Sequence, residues 1–261
     1  MNTVVRVLLG IWGTVAAILW IGVCGAIYLV GAIFDRTGAW TDFCQLAFCR
    51  GSLVLVGVRV RVEGRENIPP EAACILMGNH RSYLDIPASV VALRPLAILF
   101  VAKKELTFIP FLGWALAASH HIKIDRGNRE QAIGALRRAK EKMGRGIALT
   151  VFPEGTRSFD SRLLPFKKGG FHLAVSAEYP ILPISIRNSG ELLPKGSYLP
   201  RRGEVTVVVH PMIPVTGKER VDVPGLMEEV RGVILSGLPD ARTRETPAEA
   251  GADPVKGAPA Q

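Results

Sequence analysis

The chain has 261 residues, 48% of them apolar, and a formal net charge of +9. That length suits one medium domain plus a membrane segment, and the apolar fraction with a positive mean hydropathy turns the basic surplus toward lipid or phosphorylated substrates. No basic helix with interleaved aromatics is present, which argues against a nucleic-acid partner, and none of Cys24, Cys44, Cys49 and Cys74 forms a C-x-x-C pair.

Val7 to Phe34 runs for 28 residues without a charged side chain. That exceeds the about 20 residues needed to cross a hydrocarbon core. It also exceeds the about 7–15 residues of a cleavable signal core. Gly22 and Gly25 lie mid-segment and mark either close helix packing or a bend. A single span and a hairpin-like anchor are therefore both open. Arg6 precedes the segment, and Arg36, Arg50, Arg59, Arg61 and Arg65 follow it. The positive-inside rule then puts the main domain on the cytoplasmic face of the membrane. Phe43 to Val56 is a second, milder apolar stretch, expected to be helical and to lie on the membrane or on the domain.

From Gly57 the pattern changes. Short apolar or β-branched runs predict strands at Val58–Val62, Cys74–Met77, Ala97–Val101, His121–Ile124, Ile147–Phe152, Ile181–Ile186 and Val205–Val209. Helices are predicted at Leu84–Leu93, Phe111–Ser119, Arg129–Met143, Phe171–Ala177 and Gly225–Leu235. The alternation predicts an α/β fold with a mixed, largely parallel sheet flanked by helices. Three regions result: an anchor over 1–56, a domain over 57–238, and a tail over 239–261. The tail is rich in Ala, Pro, Gly and charge and is expected to be disordered.

Four short blocks carry chemistry. In Asn79-His80-Arg81-Ser82-Tyr83-Leu84-Asp85, His80 follows a strand, where α/β sheets place their ligands. A turn brings Asp85 back to the imidazole, and a carboxylate on one ring nitrogen leaves the other free to take a proton from an alcohol. The same spacing also describes an ordinary strand-to-helix turn. In Phe152-Pro153-Glu154-Gly155-Thr156-Arg157-Ser158, Gly155 admits a close ligand and Arg157 offers a fork that fits a phosphate. Glu154 is placed to orient Arg157 or to receive a ligand hydroxyl. Arg126, ending Ile122-Lys123-Ile124-Asp125-Arg126, is a second anion ligand or a surface ion pair. Lys103, at a strand end, is a third cation or part of a solvated turn. Ile181-Leu182-Pro183-Ile184 reads as a strand whose proline predicts a sheet edge or a bulge.

Taken together, these blocks resemble the glycerolipid acyltransferase superfamily, and within it the 1-acylglycerol-3-phosphate O-acyltransferases, also called lysophosphatidic acid acyltransferases. The resemblance covers about Val58 to Val209, including Val101–Trp114, and departs from the family pattern at His120 and Lys123. It implies that His80 is the catalytic base and Asp85 its orienting partner. It implies that Glu154, Gly155, Thr156 and Arg157, with Arg126 and Lys103, bind the acceptor. The implied reaction moves an acyl group from acyl-CoA or an acyl-carrier protein to the free hydroxyl of lysophosphatidic acid, giving phosphatidic acid in phospholipid biosynthesis. It calls for no metal and no cofactor beyond the acyl thioester, and membrane lipids are the expected surroundings. Acylation of another lysolipid, hydrolysis by the same pair, and a non-catalytic lipid-binding scaffold are the competing readings.

Overall fold

A computed structural model describes residues 16, 19–31, 38–69, 73–103, 108, 113, 122–124, 147–159 and 162–238. The described elements, in chain order, are α1 (Ala39–Leu55), β1 (Val58–Glu63), β2 (Cys74–Gly78), α2 (Asp85–Ala92), β3 (Ala97–Lys103), β4 (Ile122–Ile124) and β5 (Ile147–Val151). They continue with α3 (Gly169–Ala177), β6 (Ile181–Arg187), the single turn α4 (Ser189–Leu192), β7 (Gly203–Val209) and α5 (Val223–Ser236). The predicted helix at Arg129–Met143, the predicted helix at Phe111–Ser119 apart from the helical residue 113, and the tail from Pro239 lie outside the described residues.

The seven strands form one sheet in the order β1-β7-β6-β2-β5-β3-β4. All neighbours run parallel except β6 and β7. β2 sits inside, between β6 and β5, and every one of its residues is buried. Its alternation feeds both layers. Ile75 and Met77 pack with Leu149, Phe171, Leu226, Val230 and Ile234 under α3 and α5. Cys74 and Leu76 pack with Leu53, Ala88, Val90, Leu182 and Val207 under α1 and α2. A strand buried on both faces has no polar side to show, which is why Cys-Ile-Leu-Met reads as an unbroken apolar run.

Pro183 does not mark an edge. It lies in the interior strand β6, opposite Met77 of β2. Its carbonyl accepts the N–H of His210 on the other side. Between the Ile181–Ile213 bridge and the Ile184–Val209 pair, the chain after β7 advances one residue further than β6. The missing proline N–H thus falls at an irregular stretch of the ladder, the bulge half of the expectation.

Residues 19–31 are helical without a break at Gly22 or Gly25. This helix packs antiparallel to α1. Trp20 Nε1 donates to Ser52 Oγ at 3.1 Å, and the Trp20 ring fills the space beside Gly51. At the other end the Trp40 indole lies over Gly31. Small residues at both crossings let the two helices close on each other. The outer face is apolar and open: Leu19, Val23, Ile27 and Val30, at helical spacing, are 63, 54, 50 and 63% exposed, with Phe43 on α1. Among the described residues no helix is long and apolar enough to cross a membrane.

A buried polar cluster joins β6 to α5. Ser185 Oγ donates to the Ile234 carbonyl at 2.7 Å and lies 2.8 Å from His210 Nε2. With its proton committed, Ser185 must accept from the ring, so His210 carries a hydrogen on Nε2. Burial first, then the Arg187 charge, hold its pKa below the ordinary 6.5. Below pH 6.5 the unfolded chain therefore takes up a proton that the folded chain refuses, and stability falls with pH. Comparing thermal melting of the wild type and His210→Gln between about pH 7 and pH 5 isolates this contribution from the opposing one of Glu154: the wild type should lose more stability, or gain less, on acidification than the variant; the same pH dependence in both would assign the effect to other groups.

Candidate active site

The site forms where β2 and β5 end side by side. Beyond Gly78, the Asn79 carboxamide takes over from the departing strand. Its Nδ2 donates to the Ile186 carbonyl at 2.9 Å and its Oδ1 accepts the Ile186 N–H at 2.7 Å. The main chain is thereby released from the sheet at His80 without leaving Ile186 unpaired.

Asp85, the first residue of α2, is fully buried, while the His80 side chain is 16% exposed. One oxygen, Oδ2, accepts three hydrogen bonds: from His80 Nδ1 at 2.7 Å, from the Arg81 N–H at 2.7 Å and from the Ser82 N–H at 2.8 Å. The two main-chain donors lie on the turn between His80 and Asp85. That turn is closed by Ser82 Oγ, which donates to the Leu193 carbonyl and accepts the Leu84 N–H. An acceptor-only carboxylate at Nδ1 fixes the proton there and leaves Nε2 as the basic nitrogen. It also stabilises the imidazolium once Nε2 is protonated.

The second block reaches the same histidine. Glu154 Oε1 accepts the His80 N–H at 2.7 Å, and the His80 carbonyl accepts the Ser158 N–H at 2.8 Å. The Phe152 ring stacks on the imidazole, with centroids 4.1 Å apart and planes 13° from parallel. The other Glu154 oxygen, Oε2, accepts the Leu164 N–H at 2.9 Å. Arg231 of α5 in turn donates to the Leu163 and Leu164 carbonyls. Glu154 is buried, and burial pushes its carboxyl up to about 7, against the downward pull of the Leu164 and His80 N–H groups. Both its oxygens face main-chain donors rather than Arg157, so the placement differs from the orienting role expected from sequence.

Gly155 has φ 71, a left-handed conformation that disfavours a larger residue; the Lys167 side chain passes 2.9 Å from where a Cβ would stand, but its flexible end can move aside. Thr156 is exposed. The Arg157 guanidinium lies over the Tyr83 ring, 3.6 Å from its centroid. The structure therefore brings His80, Asp85, Glu154, Gly155 and Arg157 together. Arg126 lies outside the described residues. Lys103 is described only as the last residue of β3, beside Ile124 of β4. Asn79, Tyr83, Phe152 and Ser158 are contacts that spacing did not single out. The only signal for them was membership of the two blocks.

Comparison with known proteins bears on the family and the fold. Residues 59–187 match the model of the acyltransferase family. An uncharacterised acyltransferase of Schizosaccharomyces pombe is 36% identical over 187 residues, 70% of this chain and 67% of that protein. The chain belongs to the acyltransferase family. Its relatives include the 1-acyl-sn-glycerol-3-phosphate acyltransferase of Saccharomyces cerevisiae, 36% identical over 71% of this chain and 61% of that protein. The crystal structure of the 1-acyl-sn-glycerophosphate (LPA) acyltransferase PlsC from Thermotoga maritima superposes with a TM-score of 0.78 at 27% identity. The match covers 94% of this chain and all of that one. The chain spans about half to two thirds of the length of several curated relatives that it matches.

Replacing Asp85 with Asn tests the pair. A carboxamide oxygen in the place of Oδ2 can accept the same three hydrogen bonds, but it lacks the negative charge that stabilises the imidazolium. Acyl transfer should fall by roughly 10³- to 10⁴-fold with the fold intact; a loss under about tenfold would mean that Asp85 serves the turn and not the imidazole.

Proposed function

We propose that this protein is a membrane-associated 1-acylglycerol-3-phosphate O-acyltransferase. In this reading it transfers a fatty acyl group from acyl-CoA or an acyl-carrier protein to the free hydroxyl of lysophosphatidic acid, and phosphatidic acid is the product. The observation that carries the reading is the His80–Asp85 pair, preorganised at the mouth of the sheet, in a chain of this family.

The steps follow from the pair. The acceptor hydroxyl gives its proton to His80 Nε2 as its oxygen attacks the thioester carbonyl carbon. Asp85, on Nδ1, stabilises the resulting imidazolium. The carbon–sulfur bond then breaks, and the thiolate takes the proton from Nε2, which returns the base to its starting state. The acceptor phosphate is held by Arg157, with Arg126 and Lys103 as further cations.

Membrane association draws its support from the open apolar face of helix 19–31 and α1. A stripe of Leu19, Val23, Ile27 and Val30 left in water is unfavourable, and burying it in the acyl layer removes that cost. The arginines that follow the segment, Arg36, Arg50, Arg59, Arg61 and Arg65, favour the cytoplasmic leaflet.

Purified protein given lysophosphatidic acid and labelled acyl-CoA or acyl-carrier protein should form phosphatidic acid. His80→Ala should lower the rate by about a thousandfold or more. No product from the wild type with either donor, or equal product from the variant, would overturn the reading. On vesicles of anionic phospholipid, a variant with Leu19, Val23, Ile27 and Val30 changed to Ser should lose co-sedimentation; retained binding would remove the helical pair as the attachment.

A further inference from the structure

The four residues between His80 and Asp85 do more than set a spacing. Arg81 and Ser82 give their N–H groups to Asp85, and Leu84 closes the turn on Ser82. Tyr83 does neither. It is 54% exposed, and the guanidinium carbon of Arg157 stands 3.6 Å from the centre of its ring.

At 3.6 Å the guanidinium is in van der Waals contact with the ring, which favours the cation electrostatically and restricts its plane. The Arg157 main chain is held independently. Lys195 Nζ donates to the Arg157 carbonyl at 2.7 Å and lies 3.8 Å from the centre of the Phe159 ring. The N–H of the next residue, Ser158, is fixed on the His80 carbonyl. Arg157 is therefore pinned at the backbone by the loop of α4 and by the catalytic turn, and at the side chain by Tyr83. One guanidinium nitrogen, Nη1, is buried and has no hydrogen-bond partner among the described residues.

We propose that Tyr83 is a positioning residue for the acceptor: its ring is the seat that presents Arg157 to the phosphate of the lysolipid, so that the catalytic turn also sets where the headgroup is read. This rests on the reading of Arg157 as the phosphate ligand. The consequence is geometric. His80 and Tyr83 are on one turn, so the proton acceptor and the seat of the phosphate ligand move together, and a phosphate placed by Arg157 comes at a fixed distance from Nε2. The phenolic hydroxyl has no part in this; the ring face does.

The test is a steady-state comparison with lysophosphatidic acid as acceptor for Tyr83→Phe, Tyr83→Leu, Arg157→Ala and the double variant Tyr83→Leu/Arg157→Ala. Arg157→Ala should raise KM strongly. Tyr83→Leu should raise KM by roughly three- to tenfold with kcat within about twofold, and Tyr83→Phe should match the wild type. On the Arg157→Ala background, Tyr83→Leu should add nothing, because the seat has lost its occupant. If Arg157→Ala leaves KM unchanged, the phosphate reading fails and the seat with it. If Arg157→Ala raises KM and Tyr83→Leu does not, the phosphate reading stands and the seat is wrong. A fall in kcat with unchanged KM for both Tyr83 variants would assign Tyr83 to the His80–Asp85 turn instead. An additive effect in the double variant would also overturn the proposal.

Discussion

Glu154 is a buried carboxylate between two main-chain N–H groups, one from His80 and one from Leu164, and the geometry of the site depends on it. Taking a carboxylate out of water is unfavourable, and its raised pKa shows that the two hydrogen bonds do not fully offset the loss. Above pH 7 the folded chain holds this charge at a cost that the unfolded chain does not carry, so Glu154 lowers stability as pH rises from its ordinary 4.5 through about 7. A residue that costs stability and sits against the proposed base fits a role in function rather than in folding. What it secures is the join between the loop after β5 and the loop after β2. With the Ser158 N–H on the His80 carbonyl, the peptide groups on both sides of the imidazole are fixed by the second block. The side chain is then fixed by Asp85 on one nitrogen and by the Phe152 ring on its face.

The two blocks are thus one structure. Sequence spacing makes His80 and Asp85 a unit because they are five residues apart, and the carboxylate does return to the imidazole as the spacing predicts. The tie from Glu154 to His80 spans 74 residues and is invisible to any local pattern. Strand pairing makes it possible. β2 and β5 are parallel neighbours in register, Met77 beside Val151, so the residues that follow each strand emerge at one end of the sheet. A chain read residue by residue assigns Glu154 to Arg157, its neighbour in sequence, whereas the fold assigns it to His80, its neighbour in space.

The elements themselves were more legible than their contacts. Every predicted strand is present within two residues of its expected bounds, because β-branched and apolar runs such as Ile75–Met77 and Val205–Val209 have only one way to be buried on a central sheet. Pro183 leaves an edge and a bulge both open in sequence because a proline costs a ladder hydrogen bond; the irregularity in the neighbouring chain that decides for the bulge cannot be read from any single strand. The short α4 was missed altogether. It is one turn long, with no room for a helical period, yet its Glu191 carries the partner of Arg81 at 2.8 Å. At the other end of the chain, the uncharged stretch from Val7 announced an anchor, and the described part of it is a helix packed on α1 through Trp20 and Trp40.

The measurement that bears most directly on this account is the kinetic split of Glu154→Gln with lysophosphatidic acid as acceptor. The carboxamide matches the carboxylate in shape but offers one acceptor and one donor, so one of the two main-chain N–H groups must face an N–H. If Glu154 positions the base, kcat falls by roughly ten- to a hundredfold and KM stays within about twofold. A raised KM with kcat unchanged would contradict the account and return Glu154 to the acceptor.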